Sequence, residues 1–425
     1  MITLKYHIFS ILIGVLFLFY SLLPQNIVAI LLIGYIGSSV KYLKKSADWF
    51  NSILITSIYL IPLSFISIIG TSTVEFPIAW FHFAVITLAI LSLKNVDVSP
   101  QYHFYIGLFA LFGFFNCISQ RDIADAFKQF LIIILFFFTF YVSEAVRNKK
   151  QYLYPALLES YTGSTIIISL QVIIQKYMAT SYGIMLGHLD NYAERTAWGG
   201  LMGDYSFTTL YIATGIMLVI LYYLEYKKIN LYTFLILSGI LAYGQISVSS
   251  RTGWVALGAG FLLYLFDRKK RIKIGRLFLL ITAFIIAIPY FFDMLLSNRA
   301  DITSSSGREE NYIAALDYFL DNFLVGVGLG LNNLYQQTRE GVPHNFFIQY
   351  LVQVGIIGTL IITLPFIHFW KQNVRNTGGV KYLFVIVAIG SMFIPDIVSS
   401  RFLYGVLILI AASNKSVYHK IKNTL

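Results

Sequence analysis

Long apolar stretches recur along the whole chain, and they are apolar on every face. Segment 130–142, FLIIILFFFTFYV, has no charged residue and leaves no polar face for water. Most stretches approach the roughly 20 residues that an α-helix needs to cross a bilayer. The pattern therefore predicts an all-α, polytopic transmembrane bundle of about 12–14 spans and excludes a soluble helical protein. The stretches lie near 6–23, 26–40, 52–71, 77–93, 103–119, 129–146, 156–176, 206–225, 231–248, 253–266, 276–294, 345–370, 380–395 and 401–413.

Basic residues are distributed unevenly between the two predicted sides. With the N-terminus placed in the cytoplasm, 22 of the 31 Lys and Arg residues fall on the cytoplasmic side, as the positive-inside rule requires. Both termini are then cytoplasmic. The first apolar stretch lacks a small-residue cleavage site and is interpreted as a retained helix. The nine remaining cations are Arg121, Lys128, Lys176, Arg195, Arg251, Arg299, Arg308, Arg339 and Arg401.

Composition supports a single integral membrane domain over 1–425. Hydrophobic residues make up 57% of the chain and charged residues 12%, and the mean hydropathy is +0.72. The formal net charge of +11 indicates cytoplasmic loops beside anionic lipid, not nucleic-acid binding. The single cysteine, Cys117, excludes a disulfide and a cysteine metal site.

The side with few cations is the more informative one. Seven of its nine cations are arginines, whose planar fork suits phosphate and carboxylate groups. Two long loops, 177–205 and 295–344, are predicted there, and long loops commonly carry binding residues. The pattern favours an anionic ligand on this outer face, and the alternative is that the arginines pair with nearby acids. The predicted spans are nearly free of charge, which argues against an ion-coupled transporter.

The second loop contains a helix signature. Ser306 and Glu309 fit a capping box, and the apolar spacing that follows predicts an amphipathic helix over 307–323 lying on the outer surface. Arg308 falls in its first turn, where free backbone N–H groups favour an anion. Arg308 is therefore a candidate phosphate-binding residue. The alternative is an exposed arginine paired with Glu310 or Asp317.

Two further features follow in the same loop. The glycines of 326–330 (GVGLG) lack the strand that a dinucleotide-binding loop requires, so the segment is interpreted as a flexible turn. His344 comes directly before the twelfth predicted span, in Pro343-His344-Asn345. Imidazole suits general-base chemistry near neutral pH. His344 is therefore a candidate base, and the alternative is an interfacial polar residue without a chemical role.

Two more arginines lie in defined surroundings. Arg251 lies in a short turn, 249–254, that connects two spans and fixes its position. Arg195 lies near Trp198, and aromatic planes beside polar groups suit a sugar, although membrane-interface belts are also aromatic. The chain has no paired histidines at metal-ligand spacing and no G-x-S-x-G nucleophile motif. No metal and no cofactor are predicted.

Three pieces in series resemble the O-antigen ligase and polymerase superfamily of bacterial envelopes. They are 250–254 (SRTGW), then Gly307-Arg308 leading through the amphipathic helix to 326–330, and finally His344-Asn345 followed by 355–358 (GIIG). The order, the spacing and the predicted outer-face location all agree. The resemblance covers roughly 190–364.

The resemblance implies a glycosyltransferase of the bacterial cytoplasmic (inner) membrane. Such enzymes move a glycan from an undecaprenyl diphosphate carrier to an acceptor on the outer (periplasmic or extracellular) face. By position, Arg251 and Arg308 would bind the diphosphate and His344 would activate the acceptor hydroxyl. Arg195 is similar, more loosely, to a first-loop arginine of polymerases. Asn345 and Arg339, on either side of His344, complete the predicted substrate-binding residues.

Three functions compete, and the acceptor separates the first two. A polymerase joins carrier-linked repeat units of a surface polysaccharide, and two outer loops with arginines favour it. A ligase transfers the glycan to lipid A-core or, in some relatives, to a protein. A flippase or exporter of lipid-linked glycans is the third, and it would be expected to carry cations inside a central cavity. For either transferase the prediction is metal-independent displacement with inversion at the anomeric carbon.

Overall fold

The protein is described from a computed structural model that covers residues 4–44, 48–64, 66, 79–95, 98–149, 151–192, 195–267, 308–338, 343–374 and 377–413. At 151, 190–192, 195, 308–310, 337 and 338 the backbone alone is described. The helices of these ranges are α1 (Leu4–Leu16), α2 (Gln25–Lys44), α3 (Trp49–Leu60), α4 (Trp80–Asn95), α5 (Pro100–Ile118), α6 (Ile123–Lys149), α7 (Tyr154–Tyr182), α8 (Tyr205–Leu221), α9 (Leu231–Ser247), α10 (Thr252–Phe266), α11 (Arg308–Asp321), α12 (Leu331–Thr338), α13 (Phe346–Asn373), α14 (Lys381–Gly390) and α15 (Phe402–Ala412).

The helices form the predicted all-α, polytopic bundle. Six helical segments among the described residues are long and apolar enough to cross a membrane, and six shorter apolar helices accompany them. Peripheral helices expose large apolar side chains, such as Ile30 of α2 at 66% and Leu111 of α5 at 61%. An apolar exterior over an apolar interior is what a lipid solvent favours. The predicted span 276–294 lies outside the described residues.

A short apolar helix, α15, lies in the interior of the bundle. All eleven residues of α15 are buried, and α15 packs mainly against α6, with further contacts to α7 and α14. Buried hydroxyl pairs connect neighbouring helices, as between Tyr161 and Thr214 at 2.7 Å and between Ser57 and Tyr404 at 2.8 Å. Such hydrogen bonds are a common adhesive between membrane helices.

The first predicted long loop, 177–205, is shorter than expected and is partly regular. Helix α7 continues to Tyr182 and ends at Gly183, which adopts the left-handed conformation of a helix C-cap. An antiparallel hairpin follows, with β1 (His188–Tyr192) paired to β2 (Arg195–Gly200). The sequence analysis did not predict this hairpin. It forms because buried side chains of α7 bind its backbone, as described below.

The amphipathic helix predicted over 307–323 is confirmed as α11. Ile313, Leu316 and Leu320 form an exposed apolar stripe, whereas Ala315 on the opposite face is buried. Ala315 contributes to a small separate core together with Val327, Leu334 and Val352. This core joins α11, α12 and the first half of α13 into one packed unit. The capping-box residue Ser306 lies outside the described residues.

Candidate active site

His344 lies at the junction between α11 and α13. It is half-buried directly before α13, and its backbone carbonyl accepts a hydrogen bond of 2.8 Å from the Tyr312 hydroxyl of α11. The next residue, Asn345, is the N-cap of α13, and its side-chain oxygen accepts from the backbone N–H groups of Phe347 and Ile348. The position of His344 is therefore fixed from both sides, by a helix cap and by a contact from α11.

Arg308 reaches this junction through its place in α11. The helix begins at Arg308, and Tyr312 follows four residues later, which is about 6 Å along the helix axis. Residues four apart lie on the same helix face. Since Tyr312 contacts His344, the backbone of Arg308 lies about one helical turn from a residue that touches His344. The Arg308 side chain is outside the description.

The glycines at 326–330 do not form the flexible turn that was expected. Helix α13 is interrupted at Gly355, and the chain that follows α11, here called the glycine segment (residues 323–330), binds the backbone groups that the interruption releases. Val327 and Gly328 donate N–H groups to Val352 and Gln353 at 2.8 and 2.7 Å. In the opposite direction, the N–H groups of 356 and 357 donate to the carbonyls of 323 and 324. The expectation of a flexible turn is wrong because these backbone groups are paired.

Two glycines make this backbone contact sterically possible. Gly355 has φ 63° and ψ −171°, and a Cβ there would lie 2.4 Å from the carbonyl carbon of Leu324. A Cβ at Gly326 would lie 2.4 Å from the carbonyl carbon of Gln353. Neither distance is compatible with a side chain. The two backbones approach so closely that both positions require glycine.

The glycine segment also binds the neighbouring helices α5 and α6. Asn116 of α5 accepts the Leu329 N–H at 2.8 Å. Asp125 of α6 accepts from the N–H groups of Asn332 and Asn333 in the first turn of α12, where a carboxylate is favourable to the helix dipole. The chain from the glycine segment to the start of α12 is thereby attached to three helices, α5, α6 and α13.

Arg251 stands on a different part of the scaffold. It immediately precedes α10, after Ser249 with φ 62° and the buried Ser250. Helix α10 packs against α8 and α14, and a Cβ at Gly253 would lie 2.3 Å from Thr209 Oγ1 of α8. This close packing holds the turn against α8. The position of Arg251 is well defined, and its convergence with His344 stays a prediction.

Arg195 lies at the turn of the hairpin, where only its backbone is described. The base of the hairpin is fixed by the buried Gln175 of α7, which donates to the carbonyls of Leu186 and His188 at 2.6 and 2.7 Å and accepts the Gly200 N–H at 2.9 Å. Arg339 lies outside the described residues. The contacts described for Asn345 are those of a helix cap, and its predicted substrate contact stays a prediction.

A buried ionisable cluster next to α13 was missed by the sequence analysis. Tyr350 donates a hydrogen bond of 2.5 Å to Asp396, which lies in the irregular segment between α14 and α15 together with the buried Arg401. Burial raises the pKa of the Asp396 carboxyl, an effect that Tyr350 and Arg401 partly offset. The sequence did contain a sign of this cluster, an acid and a base within an apolar run. Isolated charges are energetically costly there and are usually paired.

The segment that holds this cluster, residues 390–401, contacts both α8 and α13. At its start, a Cβ at Gly390 would lie 2.3 Å from Leu210 of α8, one residue from the Thr209 that contacts the Arg251 turn. Further along, Asp396 contacts Tyr350 of α13. The segment 390–401 thus lies between the helix beside Arg251 and the helix that begins after His344.

Comparison with known proteins now adds to this geometry. Residues 236–363 match the family described as O-Antigen ligase. That range contains Arg251, the glycine segment, His344 and Gly355 in the order found here. The match covers 128 of the 425 residues and supports a relation to the O-antigen ligase and polymerase superfamily. The resemblance stated from the sequence is thereby confirmed.

A curated protein also matches over most of the chain. It is the ComP-specific O-oligosaccharyltransferase of Acinetobacter baylyi (strain ATCC 33305 / BD413 / ADP1), which is 21% identical over 343 residues. The match covers 75% of this chain and 62% of that protein, so the chain spans about three fifths of the length of its relative. Both matches agree with the expectation of a membrane enzyme that transfers glycans.

Proposed function

We propose that this protein transfers a glycan from an undecaprenyl-diphosphate carrier to an acceptor hydroxyl at the outer face of the bacterial cytoplasmic membrane, with both termini in the cytoplasm. The observation that carries the proposal is the junction of α11 with α13. Through the Tyr312–His344 contact, a helix that begins with an arginine is held against a histidine at a helix start. The proposal assigns anion binding to that arginine and base chemistry to that histidine.

The chemistry follows from the properties of the two side-chain types. His344 accepts the proton of the acceptor hydroxyl as its oxygen attacks the anomeric carbon, an assistance worth about 10²–10⁴ in rate. The bond from that carbon to the diphosphate oxygen breaks, and its electron pair remains on the leaving phosphate. Arg308 and Arg251 stabilise the growing negative charge. Arg195, Arg339 and Asn345 are proposed to contact the glycans. Attack from the opposite face inverts the anomeric configuration.

For the acceptor, the first proposal remains a second carrier-linked repeat unit, which makes the protein a polymerase of a surface polysaccharide. A ligase is the second candidate, and a specific observation favours it. The matching family is described as O-Antigen ligase, and the curated relative is named an O-oligosaccharyltransferase specific for ComP. Lipid A-core or a protein would then be the acceptor.

Reconstitution in proteoliposomes separates these proposals. With undecaprenyl-diphosphate oligosaccharide as the only sugar substrate, a polymerase gives a ladder of lengthened glycans on a gel. A ligase gives no product until lipid A-core or an acceptor protein is added, and it then gives single-transfer products. No transfer in any arm, from protein that is folded and bound to donor, would overturn the proposed activity.

A further inference from the structure

Two buried glutamines form a reciprocal pair beneath the glycine segment. Gln129 of α6 and Gln353 of α13 are 5% and 0% exposed. Each side-chain amide donates to the other side-chain oxygen at 3.0 Å. Gln349, one helical turn before Gln353, donates to the same Gln353 oxygen at 3.2 Å. The pair is a closed amide–amide contact between two apolar helices.

The pair binds the backbone on both sides of Gly330. Gln129 Oε1 accepts the Gly330 N–H at 2.7 Å, and Gln353 Nε2 donates to the Gly330 carbonyl at 3.3 Å. Gly330 is the last residue of the glycine segment and comes directly before α12. The two amides therefore bind the two peptide groups that flank Gly330, at the point where the segment meets both α6 and α13.

The location of the pair allows it to affect the position of the chain that leads to the candidate active site. Gln353 lies nine residues after His344, about 13 Å along α13, and two residues before the interruption at Gly355. Gly330 lies between α11, which contacts His344, and α12. Asn116 and Asp125 bind the same stretch of chain, at Val325, Leu329 and Asn332. A shift of this stretch would move the glycine segment and α11 relative to α6.

Two buried primary amides are an unusual choice for filling such a space. Leucine or methionine would fill the same volume without amide groups that lose hydration on burial. An amide pair has a different property: its hydrogen bonds are satisfied in one register and left unmade in neighbouring ones, where the loss is costly. The arrangement therefore favours one position of the glycine segment over closely similar positions.

We propose that Gln129 and Gln353 are positioning residues for the transfer reaction. They hold the glycine segment, and through it α11 and His344, in one register on α6. This proposal rests on the proposed function for its kinetic consequence, whereas its structural consequence can be measured separately. Neither glutamine is assigned contact with substrate.

The kinetic test compares Gln129→Leu with Gln129→Glu. Leucine removes the acceptor of the Gly330 N–H, and misplacement of catalytic groups by about 1 Å can cost about 10²-fold in rate. We expect kcat to fall about 10- to 100-fold while KM for the donor stays within about twofold. Glutamate, neutral in this buried site, still accepts from Gly330 and Gln353 and can donate its proton to Gln353 Oε1, and we expect it to restore kcat to within about fivefold of wild type.

A double-substitution cycle and a stability control complete the kinetic test. Combining Gln129→Leu with Gln353→Leu is expected to lower kcat no further than the worse single variant, because the two residues act as one unit. Thr214→Val breaks a buried hydrogen bond to Tyr161 elsewhere in the bundle and is expected to retain activity. A loss in Thr214→Val equal to that in Gln129→Leu would mean that activity follows general stability, and it would overturn the proposal.

The structural test uses spin labels and needs no enzymatic turnover. With the single cysteine Cys117 changed to alanine, labels are placed at Ile313→Cys on α11 and Leu111→Cys on α5, both exposed. We expect a narrow distance distribution in the parent, a broad or shifted one with Gln129→Leu, and recovery with Gln129→Glu. An unchanged distribution in Gln129→Leu would overturn the proposal. If the parent transfers no glycan at all, the proposed function fails, but this measurement still decides the positioning.

Discussion

The hairpin and the glycine segment are held to the bundle in different ways. The hairpin, which carries Arg195, is bound at its base by side chains of α7, chiefly Gln175. The glycine segment, which leads from α11 towards His344, exchanges backbone hydrogen bonds with an interrupted helix and is also bound by α5 and α6. The hairpin is held by the two helices next to it in the chain, because Thr208 of α8 also donates to the Gly199 carbonyl at 2.9 Å. The glycine segment is held by three helices, and its partners on α5 and α6 lie 213 and 201 positions away in the sequence.

The difference indicates which part of the candidate site is positioned most tightly by its contacts. Non-helical backbone at membrane depth is tolerated only where other protein groups satisfy it. At Gly355 those groups come from the glycine segment, so the interruption and the segment require each other. We infer that the half of the site with Arg308 and His344 is assembled by long-range contacts, whereas the hairpin is supported by the helices directly before and after it in the chain, α7 and α8.

The largest effect is expected from Gly355→Ala. A Cβ there would lie 2.4 Å from the backbone of Leu324, and the backbone conformation, which in practice only glycine adopts, adds about 1–3 kcal/mol of strain. The backbone hydrogen bonds between α13 and the glycine segment should break. Transfer activity, measured in proteoliposomes, should then fall more than about 100-fold. Gly239→Ala is the matched control, because a Cβ there has nothing within 4 Å. Equal activities of the two variants would contradict the role assigned to the backbone pairing between α13 and the glycine segment.

A smaller effect is expected from Gln175→Ala, which tests the hairpin. The substitution removes three hydrogen bonds to the hairpin backbone, and a buried group left unsatisfied costs about 1–3 kcal/mol. Activity should fall about tenfold, with faster proteolysis near residue 190 and an intact glycine segment. Thr180→Ala on the same helix removes only a bond within α7 and should behave like wild type. A loss as large as that of Gly355→Ala would remove the proposed contrast between the two regions.

The smallest effect is expected from Tyr312→Phe. This change deletes the hydroxyl that donates to the His344 carbonyl, a hydrogen bond worth about 1 kcal/mol. kcat should fall about fivefold, with little change in donor binding. Tyr335→Phe, on the exposed face of α12, provides the comparison. Unchanged kcat in Tyr312→Phe would show that this contact does not orient His344.

Several helices and candidate site residues could be predicted from the sequence. The predictions that failed did so for identifiable physical reasons. Helix α11 was predictable because its apolar spacing is local, and the start of α13 because Pro343 and Asn345 are local signs of a helix start. The pairing of the glycine segment was not predictable in this way. Its glycines show that the backbone must be free to bend or approach closely, but they do not show which distant backbone it meets.

The other failures concern contacts between distant residues. The hairpin depends on Gln175, a residue within an apolar helix whose partners cannot be read from spacing. The contact between Tyr350 and Asp396 joins residues 46 positions apart, and Asp396 lies between two short 3₁₀ turns whose position is not evident from spacing. Arg251 and His344 were found from their local motifs, but the same motifs do not give the distance between them.

The most direct test of the account is turnover by His344→Ala in proteoliposomes with the lipid-linked donor and its acceptor. The account predicts a loss of about 10²–10⁴ in kcat, the range of general-base catalysis, with donor binding close to wild type. His103→Ala, which changes a histidine that contacts Tyr141 on α6, should retain activity. Turnover by His344→Ala within about threefold of wild type would contradict the assignment of His344 as the base.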